Sequence, residues 1–182
     1  MKKIILVFLT SSLFIGCSKD DETTPVPVAA VPTISIFTDV ELSQTSNSVT
    51  YGRFFSTALG KVIKASEVTA SNGADIDMAY VGGSSSFIYF TSPDDTNGNF
   101  NIPSATSSSF KNFNSGFAVA DFDSMTDDSK LKNLVVINDG EAIGTLNFPV
   151  IVTFKNSKGK KGVIKLKSIN SNRLLVDIKV QK

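Results

Sequence analysis

Near the C-terminus Leu174, Val176, Ile178 and Val180 fall on alternate positions, with Asp177, Lys179 and Gln181 between them. Period-two alternation is what a half-buried antiparallel strand requires, because successive side chains leave opposite faces of a sheet. A helix would scatter the same apolar residues around its circumference. Val150–Lys155 and Gly162–Ile169 carry comparable runs, so the last third of the chain reads as a three-stranded meander. Its turns are Asn156-Ser157-Lys158-Gly159 and Asn170-Ser171-Asn172.

The same reading extends upstream. Thr33–Val40 is a first strand. Val49–Phe55 and Lys61–Lys64 flank a hairpin connection at Ser56–Gly60. Ile76–Val81 places Ile76, Met78 and Tyr80 on one face against Asp77, Ala79 and Val81. Gly82–Ser85 is the turn into a return strand at Ser86–Thr91. Ser92–Ser115 is polar and long for a loop in a compact domain, which marks it, with Tyr80 and Tyr89, as a place to seek a concave site. Phe117–Leu134 lacks Gly and Pro, and Ser124 or Thr126 is placed to cap one or two short helices there. The expected fold class is therefore mainly β, an antiparallel β-sandwich with one or two short helices.

The first 32 residues belong to a different regime. Lys2 and Lys3 precede an apolar run, Ile4–Leu9 and Leu13–Ile15, that is too short to span a bilayer, which takes roughly 20 residues. This is the build of a signal peptide, residues 1–16. Gly16 stands before Cys17, the sole cysteine, as in a bacterial lipobox, so Cys17 is expected to carry a lipid and to begin the mature chain. Thr23–Pro32 reads TTPVPVAAVP, and its prolines favour extended polyproline II, making residues 17–32 a stalk. A single domain at 33–182 follows.

Composition narrows the chemistry. The 182 residues contain no histidine and no tryptophan. Ser-His and Cys-His catalysis and imidazole metal sites are thereby excluded, and with Cys17 acylated no free thiol remains. The formal charge is +1, and about −1 once Lys2 and Lys3 leave with the leader, which argues against a nucleic-acid partner. Carboxylates are what remains. Asp75 and Asp77 fall on one strand face, roughly 7 Å apart by strand geometry, where a pair could act as acid and base on a glycoside. Two solvent-facing aspartates beside a turn is the plainer account. Asp94, Asp95, Asn97 and Asn99 faintly echo a calcium loop but lack its glycine and distal glutamate, and an Asx turn competes with that reading. Nine basic residues from Lys155 to Lys182 have only Asp177 among them. They suggest a basic face for polyanions, or charge protecting a sheet.

Several stretches carry a resemblance. GRFFSTALGKVIKASEV, ADIDMAYV, FTSPDD, FAVADFDSM and GKKGVIKLKSI with VDIKVQK together resemble a group of small surface lipoproteins of Bacteroidota. Ser18, Lys19, Asp20, Asp21 and Glu22, directly after Cys17, resemble the export signal that routes such proteins to the outer face of the outer membrane. FFSTALGKV followed by ADIDMAY is also distantly similar to HmuY-type haem-capturing lipoproteins, with Asp75 at about the place of their tryptophan. That similarity implies a haem-binding alternative. Met78 and Met125 could supply thioether ligands to haem iron, but Met78 shares a strand face with Ile76 and Tyr80 and Met125 follows Phe122 in the helical patch, so core packing is the plainer account of both. The expected protein is a non-enzymatic, lipid-anchored surface module, held to the membrane through Cys17, without a resident cofactor. Its partner would be a glycan, a small ligand or another envelope protein. Haem capture is the sharper alternative, and a glycan-processing enzyme built on Asp75 and Asp77 is the remote one.

Overall fold

The structure, a computed structural model, describes residues 31–45, 48–84, 87–144, 147–170 and 173–182. The leader, Cys17, the segment Ser18–Glu22 and most of the stalk lie outside these residues.

The described chain forms two antiparallel sheets. Strands β1 (Ile34–Ser43), β6 (Ser109–Lys111), β7 (Val150–Lys155), β8 (Lys161–Ile169) and β9 (Arg173–Gln181) make one, in the order β1-β9-β8-β7-β6. Strands β2 (Phe54–Ser56), β3 (Lys61–Ile63), β4 (Met78–Ser84) and β5 (Phe87–Thr91) make the other, in the order β3-β2-β4-β5. The C-terminal meander pairs Ile164 with both Val152 and Ile178, so the apolar residues of three strands share one face. That face meets Phe55, Met78, Tyr80, Ile88 and Phe90 of the smaller sheet in a single buried cluster. Each such side chain contributes about 1.5–3 kcal/mol by leaving water. A mainly β sandwich is thus what the chain adopts.

Each sheet is covered on its outer face as well. On the five-stranded sheet, Ile34, Ile151 and Val163 pack against Phe122, Met125 and Leu131 of two short helices, α1 (Val119–Ser124) and α2 (Ser129–Lys132), and the turn between them. Helices this short cannot hold themselves together in water. Lys179 secures α1: its Nζ donates to the carbonyl oxygens of Phe122 and Met125, both at 2.8 Å, and lies 4.9 Å from the Phe122 ring centre. Lys179 is buried, and that burial pushes its ammonium below the usual lysine range. It is therefore a docking post for α1 rather than the solvent-facing residue that the alternation implied.

On the four-stranded sheet, Phe54, Ile63, Ile76 and Ala79 are covered by Phe100 and Ile102 of the loop after β5. Phe54 and Phe100 meet edge to face at 5.6 Å. The loop comes so close that a Cβ on Gly73 would stand 1.8 Å from the Pro103 carbonyl oxygen, so no larger residue fits there.

Several sequence expectations need correction. Ile76 does not share the face of Met78 and Tyr80. It follows a 3-10 turn, Gly73–Asp75, and packs on the outer side with Ala79. Gly82–Ser84 continue β4 instead of turning. Ser109–Lys111, expected as loop, is β6; polar flanks hide so short a strand. Ser124 and Thr126 cap nothing. The N-cap positions are Ala118 and Asp128, and the Ser124 hydroxyl donates back to the Ala120 carbonyl at 2.8 Å.

Lys179→Met should strip the Met125 carbonyl of its lysine donor, leave the Phe122 carbonyl only the Met125 amide at 3.2 Å, and cost about 1–3 kcal/mol. The expected result is a lower urea midpoint, with amide exchange in α1 accelerating more than in β8. Unchanged α1 exchange would show that Lys179 does not hold the helix.

Candidate functional site

Alternation along β5 sends Ile88 and Phe90 into the core and Phe87, Tyr89 and Thr91 to the other face. These three form a row with a step of roughly 7 Å per two residues. Phe87 and Tyr89 meet edge to face at 5.7 Å, and Phe87 stays 54% exposed. Thr91 ends the row, and its hydroxyl donates to Asp95 Oδ2 at 2.6 Å. Asp95 Oδ1 accepts from the Asn97 amide at 2.9 Å, capping the 3-10 turn Thr96–Gly98. Strand row and loop carboxylate are thus joined.

The base of the loop is closed by serines. Ser92 and Ser107 each donate a hydroxyl hydrogen bond to Asp94, one per carboxylate oxygen. Ser92 Oγ also accepts from the Ser108 amide at 2.8 Å. The two hydroxyls favour the charged form of Asp94 and hold its pKa below the usual carboxylate range, Ser107 contributing most.

The opposite wall is the strap Asn138–Ala142. Asn138 Oδ1 accepts from the Phe110 amide at 3.2 Å, and Asp139 Oδ2 accepts from the Phe113 amide at 2.8 Å. Asn112 then ties the strap's neighbourhood to β5: its side-chain amide accepts from Phe90 N at 2.7 Å and donates to Phe90 O at 2.9 Å. Ile143 N donates to Ile88 O at 2.9 Å. Between β5, the loop and the strap lies a cleft of about 490 Å³, within the range of small-ligand sites. A second concavity of about 550 Å³, between residues 112–119 and the start of β7, is lined by no ionisable side chain. The first combines aromatic walls with convergent polar groups and is the candidate site.

The residues singled out from the sequence divide accordingly, and the structure gathers only some of them. Asp94, Asp95 and Asn97 line the cleft together. Asn99 does not; it adopts a left-handed φ of 45° at the end of the 3-10 turn. Each carboxylate already accepts hydrogen bonds from its own loop, and among the described residues no three Asp, Glu, Cys or His side chains converge for a metal ion.

Asp75 and Asp77 sit elsewhere and do different things. Asp75 ends a 3-10 turn, and one oxygen lies 3.6 Å from Lys158 Nζ. Asp77 is buried. It accepts from the Thr57 amide at 2.6 Å and hydroxyl at 2.5 Å, and from Asn156 Nδ2 at 3.1 Å. Its role is to tie the β2–β3 turn to the β7–β8 turn. The two do not share a strand face.

Met78 and Met125 are both buried, in separate clusters: Met78 between the sheets, Met125 under α1. Tyr80 is also core. Its hydroxyl donates to Gln44 Oε1 at 3.2 Å, and burial drives its pKa well above the ordinary tyrosine value. Some of the C-terminal basic residues meet carboxylates, most of them from distant parts of the chain. Lys165 pairs with Asp123, Lys167 with Asp39 and Asp177, and Arg173 with Glu41.

Phe87, Ser107, Ser108 and Asn138 carry no individual signal in the sequence. The nearest cue is the length of the Ser92–Ser115 loop beside Tyr89. No protein-family model matches the chain, and comparison with curated proteins and with solved structures finds no match.

The Asp94 clamp carries a pH dependence. With the folded pKa depressed below 3.8, its contribution is fully present above about pH 4 and is lost as pH falls through the lower folded value. NMR titration of the Asp94 carboxyl should give a midpoint below 3.8, and Ser107→Ala should move it upward. A midpoint unmoved by Ser107→Ala would refute the clamp.

Proposed function

We propose that this protein is a lipid-anchored cell-surface binding module, non-enzymatic, that takes a small ligand in the cleft beside β5. The observation that carries the binding reading is the cleft itself. Exposed Phe87 and half-buried Tyr89 face hydrogen-bonded carboxylates and amides across about 490 Å³. Apolar walls with a few fixed polar groups are the usual make-up of a ligand pocket. A non-catalytic role is supported by the engagement of the available carboxylates. Asp77 is committed to three structural hydrogen bonds, and Asp94 and Asp95 serve as loop clamps. The anchoring part rests on the lipobox-like Gly16-Cys17 and the charged Ser18–Glu22. The haem alternative draws no support from Met78 and Met125, which are enclosed in different clusters.

Three experiments test this function. Cys17→Ser should abolish fatty-acid incorporation and release the protein from membranes. Alanine at Lys19, Asp20, Asp21 and Glu22 should keep the lipid but remove accessibility to protease on intact cells. For the cleft, a screen of neutral, anionic and cationic fragments by ligand-observed NMR should yield binders that are lost with Asn97→Trp, which places a bulky ring at an exposed rim position. Absence of any binder, or binders indifferent to Asn97→Trp, would defeat the cleft reading.

A further inference from the structure

The cleft has a charge sign and a direction. Its lining includes the carboxylates of Asp94 and Asp95 and no lysine or arginine. Both carboxylates sit at one end, where Thr91 finishes the β5 row and the loop begins. Tyr89 and Phe87 extend away from that end. We propose, building on the reading of the cleft as a ligand site, that its ligand is an organic cation: an ammonium group on an apolar, preferably aromatic, body.

Several features of the site support this. Asp94 is held in its charged form by Ser92 and Ser107. A carboxylate offers about four lone-pair sites, and the hydrogen bonds on Asp94 and Asp95 leave part of that capacity open to an ammonium donor. Ser108 lies in the cleft lining but is only 9% exposed, and its buried hydroxyl has no hydrogen-bond partner, as is also true of Thr106 and Thr153 away from the cleft.

The aromatic side adds to the same sign. Phe87 and Tyr89 offer rings to a cation and apolar area to its body. The guanidinium of Arg53, which interacts with Tyr89, is not in the cleft lining. It lies over the Phe100 ring at 4.9 Å and donates to the Tyr80 carbonyl at 3.1 Å. Asp139 and Glu141 of the strap are not lining residues, and the Asp139 carboxylate is engaged by the Asn112 side chain and the Phe113 amide. An anionic ligand would meet two carboxylates with no countercharge among the lining residues, which disfavours it.

Three probes of nearly one shape separate charge from bulk: 2-phenylethylammonium, 2-phenylethanol and phenylacetate. Each is titrated calorimetrically into the full chain in a non-ionic detergent. The ammonium is expected to bind about tenfold or more tightly than the alcohol, and phenylacetate is expected to give no binding heat. Asp94→Asn and Phe87→Ala should each weaken the ammonium by about threefold or more. Should Asp94→Asn fail to fold, Phe87→Ala still decides the matter, since that side chain is more than half exposed.

Equal affinity for alcohol and ammonium, both lost with Asn97→Trp, would overturn the cation assignment while leaving the cleft as a ligand site. Ammonium binding indifferent to Asp94→Asn and Phe87→Ala would overturn it too, as would failure of the ammonium to bind. If the fragment screen also finds no ligand lost with Asn97→Trp, the binding reading falls with it.

Discussion

A column of aromatic rings holds this domain together. Tyr80 of β4 meets Phe90 of β5 at 5.5 Å, Phe90 stacks with Phe110 of β6 at 6.2 Å, and Phe110 stacks with Phe154 of β7 at 6.0 Å. The column passes from one sheet to the other, and offset ring pairs of this kind add about 0.5–1.5 kcal/mol each beyond the area they bury. No disulfide within the chain is available to a sequence with one cysteine. Packing must therefore set how the sheets face each other. The Phe90–Phe110 step falls where β5 borders β6, and Phe90 is also a lining residue of the cleft.

Polar groups act as a second tier. Asp77 links turns at the ends of both sheets, and Asn112 bridges β5 to the segment after β6. Lys165 and Lys179 reach from the five-stranded sheet to α1, each within about 5 Å of the Phe122 ring. A buried lysine is costly unless its hydrogen bonds are met. Lys179 has two carbonyl acceptors and an aromatic face, and so it positions the helix as well as stabilising it. The basic C-terminal run looks unopposed in sequence because its acidic partners, Glu41, Asp39 and Asp123, lie far away along the chain.

Much of the architecture is legible in alternation. The pattern places Val150–Lys155 at its observed bounds, and the inward set Leu174, Val176, Ile178 and Val180 packs as expected. Failures come where periodicity is short or broken. Three residues of β6 carry too little pattern to stand out from their polar flanks, and the 3-10 turn before β4 shifts Ile76 to the opposite face. Lys179 defeats a charge-means-solvent rule because a helix end supplies its acceptors. Of the candidate site, the loop and Tyr89 are visible in the sequence, along with Asp94, Asp95 and Asn97 as a polar cluster. Their convergence with Phe87, Ser108 and Asn138 depends on contacts between segments distant in sequence, which no local spacing encodes.

The hydrogen bonds of Asn112 and Ile143 to β5 have one more consequence. The outer margin of an edge strand is ordinarily an open template on which a foreign peptide can lie as an additional strand. Here Phe90 N and O are taken by a side-chain amide and Ile88 O by the Ile143 amide. Main-chain zippering is thus closed to visitors at that margin. The proposed ligand of the cleft would therefore be told apart by its functional groups, through side chains alone, and not by a backbone.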